Sequence, residues 1–132
     1  MTKITLKDGL TINAVLTGIT GLGLALFAEL AAEYLIPGAP VWLIAALGIA
    51  LVLFASDVAL IARWKAQSKP LVGFVFIADL AWVIGVPAIL VGMPSAFTAL
   101  GIAASLAVTA VVACFALIEW RGLKTMGAAK AI

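Results

Sequence analysis

Four long apolar stretches alternate with short connections, and only every second connection carries positive charge. Lys3 and Lys7 precede the first stretch, Arg63, Lys65 and Lys69 lie between the second and third, and Arg121, Lys124 and Lys130 follow the fourth. These account for all eight basic residues, while the connections around Pro37–Pro40 and Gly92–Ser95 hold no Lys or Arg. Lys and Arg are retained on the cytoplasmic side of a bilayer, so the alternation predicts four spans with both termini inside. Composition agrees: the 132 residues are 66% hydrophobic and 11% charged, too few polar groups to clothe a soluble domain.

The expected fold is all-α, a polytopic membrane protein forming one domain over residues 1–132. Its spans are read at approximately 11–34, 41–64, 71–91 and 96–120. Each exceeds the roughly 20 residues that cross a hydrocarbon layer of about 30 Å. Connections this short join antiparallel neighbours, which predicts an up-down-up-down four-helix bundle. Asp8 or Thr11 is a candidate cap for the first helix, Pro37 and Pro40 bracket the first outer turn, and Pro70 suits a helix start. The first apolar stretch is longer than the core of a secretory signal, so it reads as a span. Tyr34, Trp42, Trp64 and Trp120 fall at span ends, where an amphipathic ring favours the interface.

Small residues mark expected helix contacts. Thr17, Gly21 and Ala25 recur at four-residue spacing on the first span, and Gly101 and Ser105 do so on the fourth. Such stripes let backbones approach where lipid supplies no hydrophobic drive between helices. The lone Cys114 is expected to be an apolar packing residue.

Six acids are present. Asp8, Glu29, Glu33 and Glu119 lie near span ends and are read as solvated or snorkelling residues. Asp57 and Asp79 lie deeper, about 9 Å inside Arg63 and about 13 Å inside Pro70 along their helix axes. Asn13 is about 9 Å inside Lys7 by the same measure. An intramembrane aspartate costs about 2.5–3.5 kcal/mol on insertion scales, so these acids need partners or a shared proton. The predicted cluster is Asp57 and Asp79, with Asn13 and Trp82 as donors.

Such a cluster fits two uses: a hydrogen-bonded pin for assembly, or a proton or cation site. No Ser–His or Cys–His pair, metal-ligand cluster or phosphate loop can be assembled, so no catalytic residue, metal or cofactor is expected. The chain has no histidine, which disfavours haem and most transition-metal sites. A basic groove with interleaved aromatics is also missing, so nucleic acid is not an expected partner. The leading expectation is a non-enzymatic accessory or assembly subunit, meeting lipids, its own copies or other membrane subunits within the bilayer. The alternatives are a small proton- or cation-coupled transporter or channel, and a lipid- or quinone-binding protein.

Asn13-Ala14 leading to Gly21, together with Asp79-Leu80-Ala81-Trp82-Val83, resembles small bacterial four-span inner-membrane proteins, with DoxX-like proteins a remote comparison. The resemblance implies a compact bundle in a bacterial cytoplasmic membrane and carries over no catalytic residue. Ala28-Glu29 superficially resembles the first-span carboxylate of small multidrug exporters. However, Glu29 sits near the outer end, and the strong charge bias opposes a dual-topology dimer.

Overall fold

In a computed structural model the chain is helical throughout, with no strand among the described residues. The structure describes residues 5–131, with side chains through 126; Lys3 lies outside that range, as does the side chain of Lys130. The helices are α1 (Leu6–Leu26), α2 (Ala28–Tyr34), α3 (Val41–Trp64), α4 (Lys69–Gly92) and α5 (Ala99–Ala131), with a 3-10 turn at Pro94–Ala96. Four are long and apolar enough to cross a membrane: α1, α3, α4 and the Ala99–Met126 part of α5. Large apolar side chains such as Ile19, Leu53, Ile77 and Leu106 face outward along them, as a lipid-facing surface requires.

Local chemistry sets the helix ends. Thr5 caps α1 in a reciprocal box with Asp8: Asp8 N–H donates to Thr5 Oγ1 at 3.1 Å, and Thr5 N–H donates to Asp8 Oδ2 at 3.4 Å. The helix therefore begins before Thr11, whose hydroxyl instead donates to the Lys7 carbonyl at 2.8 Å. The first predicted span is divided at Phe27, where φ is −119° and ψ is 38°. Backbone bonds still run from Phe27 to Gly23 and from Ala31 to Phe27, so the division is a local distortion and not a reversal. Pro40 precedes α3 in extended conformation, and Pro70 sits in the first turn of α4, where a missing N–H costs nothing. Thr98 fastens the other outer turn. Its N–H donates to the Leu35 carbonyl at 2.9 Å, its hydroxyl donates to the Tyr34 carbonyl at 2.6 Å, and it accepts from Gly101 N–H at 2.9 Å.

Helix α5 runs well past the predicted end at Trp120. Leu123 and Met126 join the core around Leu10, Val58, Val72 and Val75, and Leu6 packs against the same cluster. That burial sustains the helix beyond its apolar stretch.

The helices associate mainly as two pairs, α1 with α3 and α4 with α5; α5 also touches α1, whereas α3 and α4 barely meet. The first pair is close enough to need glycine. A Cβ on Gly21 would lie 2.7 Å from the Gly48 carbonyl oxygen, and one on Gly48 would lie 2.5 Å from Ala25 N. Helices α1 and α5 meet near the basic end, where a Cβ on Gly9 would approach Ile118 to 2.8 Å and one on Gly122 would approach Leu6 to 2.7 Å. Gly101, expected to face another helix, instead lies under the Leu35 carbonyl at the end of α2. The backbone carbonyl of Ser105 accepts the Thr109 hydroxyl within α5. Tyr34, Trp42 and Trp64 are exposed at helix ends, whereas Trp120, expected at a span end, is exposed well inside α5. Arg63 lies over the Trp64 ring at 5.0 Å, and Trp120 packs on Phe76 with centroids 5.7 Å apart.

Candidate functional site

Where α5 closes on α1, three polar side chains from three helices meet in the interior. Asn13 Nδ2 donates to Asp79 Oδ2 at 2.8 Å and to Glu119 Oε2 at 3.1 Å. Its carbonyl oxygen accepts from Thr17 Oγ1 at 2.8 Å, so every polar atom of the Asn13 side chain is engaged. Relative exposures are 0% for Asn13, 5% for Asp79 and 1% for Glu119. The two carboxyl groups thus share one amide donor across α4 and α5.

Glycine positions determine this meeting. Gly9 is one turn before Asn13, and Gly122 is nearly one turn after Glu119. With no side chain at either point, α1 and α5 approach until Asn13 can reach the glutamate. Asp79 enters from α4 on the same inward stripe as Val72 and Val75. The spacing of 72, 75 and 79 follows one helix face.

The structure changes the membership of the sequence-based cluster at Asp57 and Glu119. Asp57 does not enter it: the residue is exposed on α3, while its neighbour Val58 is fully buried. The buried stripe of α3 passes through Ile44, Gly48, Ala55, Val58 and Ile61, and Asp57 lies about 100° from Val58 around the helix. Its depth matched the site and its azimuth did not. Glu119 takes the second carboxyl position. Its proximity to Arg121 suggested a solvated end residue, but α5 continues for several turns and the arginine is exposed on another side. The available signal was the face Phe115, Glu119, Gly122 and Met126, an apolar and small-residue stripe with one acid in it.

Trp82 also differs from its expected role. It shares a helix face with Asp79, yet among the described residues its Nε1–H has no acceptor, and Glu119 Oε1 likewise has no partner. Among the described residues, Asn13 alone supplies hydrogen-bond donors to both carboxyls. Trp82 and Asp79 line a cleft of ≈ 460 Å³ to which all four long helices contribute. Thr17 and Thr20 come from α1, Phe54 from α3, and Ala107 and Phe115 from α5. Apolar surface dominates the walls, and Asp79 supplies the acidic group. Glu119 does not line the cleft; it reaches the cleft chemically through Asn13 and Asp79.

Among the described residues, no Lys or Arg pairs with either carboxyl, and no group of three or more His, Cys, Asp or Glu side chains converges. Cys114 is exposed on α5, away from the site. The arrangement can accept hydrogen bonds, carry negative charge and hold a proton between two oxygens. It offers no nucleophile with an activating base.

No protein-family model, curated protein or solved structure matches the chain.

Proposed function

We propose that this protein is a non-enzymatic binding protein of the bilayer, holding a small lipophilic molecule in the central cleft and exchanging a proton at Asp79 and Glu119. A small carrier that links such a molecule to a proton is the activity this arrangement fits. The observation that carries the reading is the position of Asp79, which faces the cleft while sharing a single amide donor with a second buried carboxyl.

The energetics support proton exchange. Burying two ionised carboxylates costs several kcal/mol each. Two amide hydrogen bonds to charged acceptors return only about 1.5–3 kcal/mol each. A proton shared between the acids removes one charge and supplies one more hydrogen bond, as in other close carboxyl pairs. The cleft volume lies within the range of small-molecule sites, with mainly apolar walls and few polar groups to fix orientation.

In this reading the protein sits in a bacterial cytoplasmic membrane as an up-down-up-down bundle with both termini cytoplasmic. The site then lies toward the inner face. Mass spectrometry of gently extracted protein is expected to find a small molecule that the Ala107→Phe variant, with the cleft filled, no longer retains. A wild-type protein free of any such molecule, or equal retention by the variant, would reject the reading.

Assembly is the second reading, favoured by Asp57. A carboxylate exposed beside Ser56 on an otherwise apolar helix face is costly against lipid, and a neighbouring span would shelter it. Crosslinking in native membranes is expected to capture a defined protein neighbour that Asp57→Leu loses. Recovery of monomers alone would reject this role.

A further inference from the structure

The polar cluster that meets the cleft at Asp79 has more acceptors than donors. Four carboxyl oxygens face the two N–H bonds of the Asn13 amide, and those bonds are already spent on Asp79 and Glu119. Thr17 directs its hydroxyl to Asn13 and not to a carboxyl. One acceptor, Oε1 of Glu119, is buried without a partner among the described residues, on a side chain that is 1% exposed. The Trp82 N–H is the only unpaired donor among the described groups there. A single shared proton still leaves the pair with one negative charge, and no cation among the described residues offsets it.

A ligand that completes this site brings donors and one positive charge on an apolar body. We propose that the cleft binds a lipophilic monoamine in its ammonium form, with the nitrogen on Asp79 and the hydrocarbon along the apolar walls. This inference rests on the cleft being a small-molecule site and specifies the class of molecule. Phe54, Trp82 and Phe115 line the cleft, and aromatic faces attract an ammonium in a desolvated setting. A neutral ligand such as an alcohol or quinone would leave the charge uncompensated.

The charge balance also sets the pH response. The singly protonated pair and one ammonium sum to zero. A second proton on the pair neutralises the same charge, so protons and amine compete for the site. The groups facing this charge are Asn13 and Thr17 from α1, Asp79 and Trp82 from α4, and Glu119 from α5. Helix α3 presents Phe54 to the cleft, and its own acid, Asp57, lies on the exposed side. An alkylamine stays charged well above neutral pH, so the competition reports on the protein.

Equilibrium binding of 4-phenylbutylamine and of uncharged 4-phenylbutanol to the purified full chain in micelles tests the proposal. The amine is expected to bind about tenfold more tightly or better, the margin of a charge-assisted bond over a neutral one. That preference should fall on acidification and vanish in Asp79→Asn, with the helical circular dichroism of the variant confirming its fold. Glu119→Gln should keep amine binding but change its pH profile, which a purely structural role would leave alone. Equal binding of both probes, each excluded by Ala107→Phe, overturns the ammonium assignment while leaving the cleft a small-molecule site. Failure of both probes overturns the assignment too, and the co-extraction experiment then judges the cleft independently.

Discussion

Asn13 is the residue on which the polar centre turns, because one amide group serves two carboxyls on two other helices. Replacing it with leucine leaves both acids buried without their donor. Breaking a buried charged network of this kind costs about 3–5 kcal/mol, so Asn13→Leu should sharply lower the denaturant midpoint in micelles. Thr17→Val removes only a donor to the Asn13 carbonyl and should cost about 1 kcal/mol. Asp57→Asn, at an exposed position, should change the stability of the isolated chain by less than about 0.5 kcal/mol. A larger loss in Asp57→Asn than in Asn13→Leu would contradict the placement of the site. Asn13 and Asp79 were legible in the sequence as polar groups deep in apolar runs. Depth counted along a helix cannot report azimuth, however, so Asp57 looked equivalent to Asp79. Glu119 was hidden by Arg121, although the apolar residues at its own helical spacing pointed inward.

At the scale of elements, the α1–α3 contact depends on Gly48 as much as on the small-residue stripe of α1. A side chain at Gly48 would meet backbone atoms of Ala25 and Gly21, which cannot swing aside. Gly48→Ala should therefore destabilise the protein by about 1–3 kcal/mol, the range for overpacking. A Cβ on Gly73 meets nothing within 4 Å, so Gly73→Ala should be neutral or stabilising by up to about 1 kcal/mol. Chemical unfolding of the two variants side by side checks the contrast. Element identity was readable because each span is a long apolar run bounded by proline, glycine or charge. The extents of α1 and α5 were less so. Thr5 forms a cap that an apolar-run criterion skips, and Leu123 and Met126 extend α5 by packing beyond the end of the hydrophobic stretch.

At the scale of the whole molecule, two helix pairs meet at the basic end through α1 and α5 and at the other end through Thr98 and Gly101 against Leu35, and between these contacts lies a cleft that all four long helices help to line. Hydropathy disclosed the number of spans, but the pairing of α1 with α3 and of α4 with α5 depends on side-chain shape at a few glycines. Orientation can be tested with single cysteines in a Cys114→Ala background. A membrane-impermeant maleimide should label Gly38→Cys from outside the cell and Ser68→Cys only after permeabilisation; the reverse pattern would invert the proposed topology. In the proposed function, Asp79 and Glu119 hold one proton between them in the interior. Infrared spectroscopy of the purified protein, in the carbonyl-stretch region of protonated carboxyls, measures that proton directly. At neutral pH a single protonated-carboxyl band is predicted, insensitive to Asp57→Asn and absent from the Asp79→Asn, Glu119→Gln double variant. No such band in the wild-type protein, or an unchanged band in the double variant, would rule out a shared proton at this site.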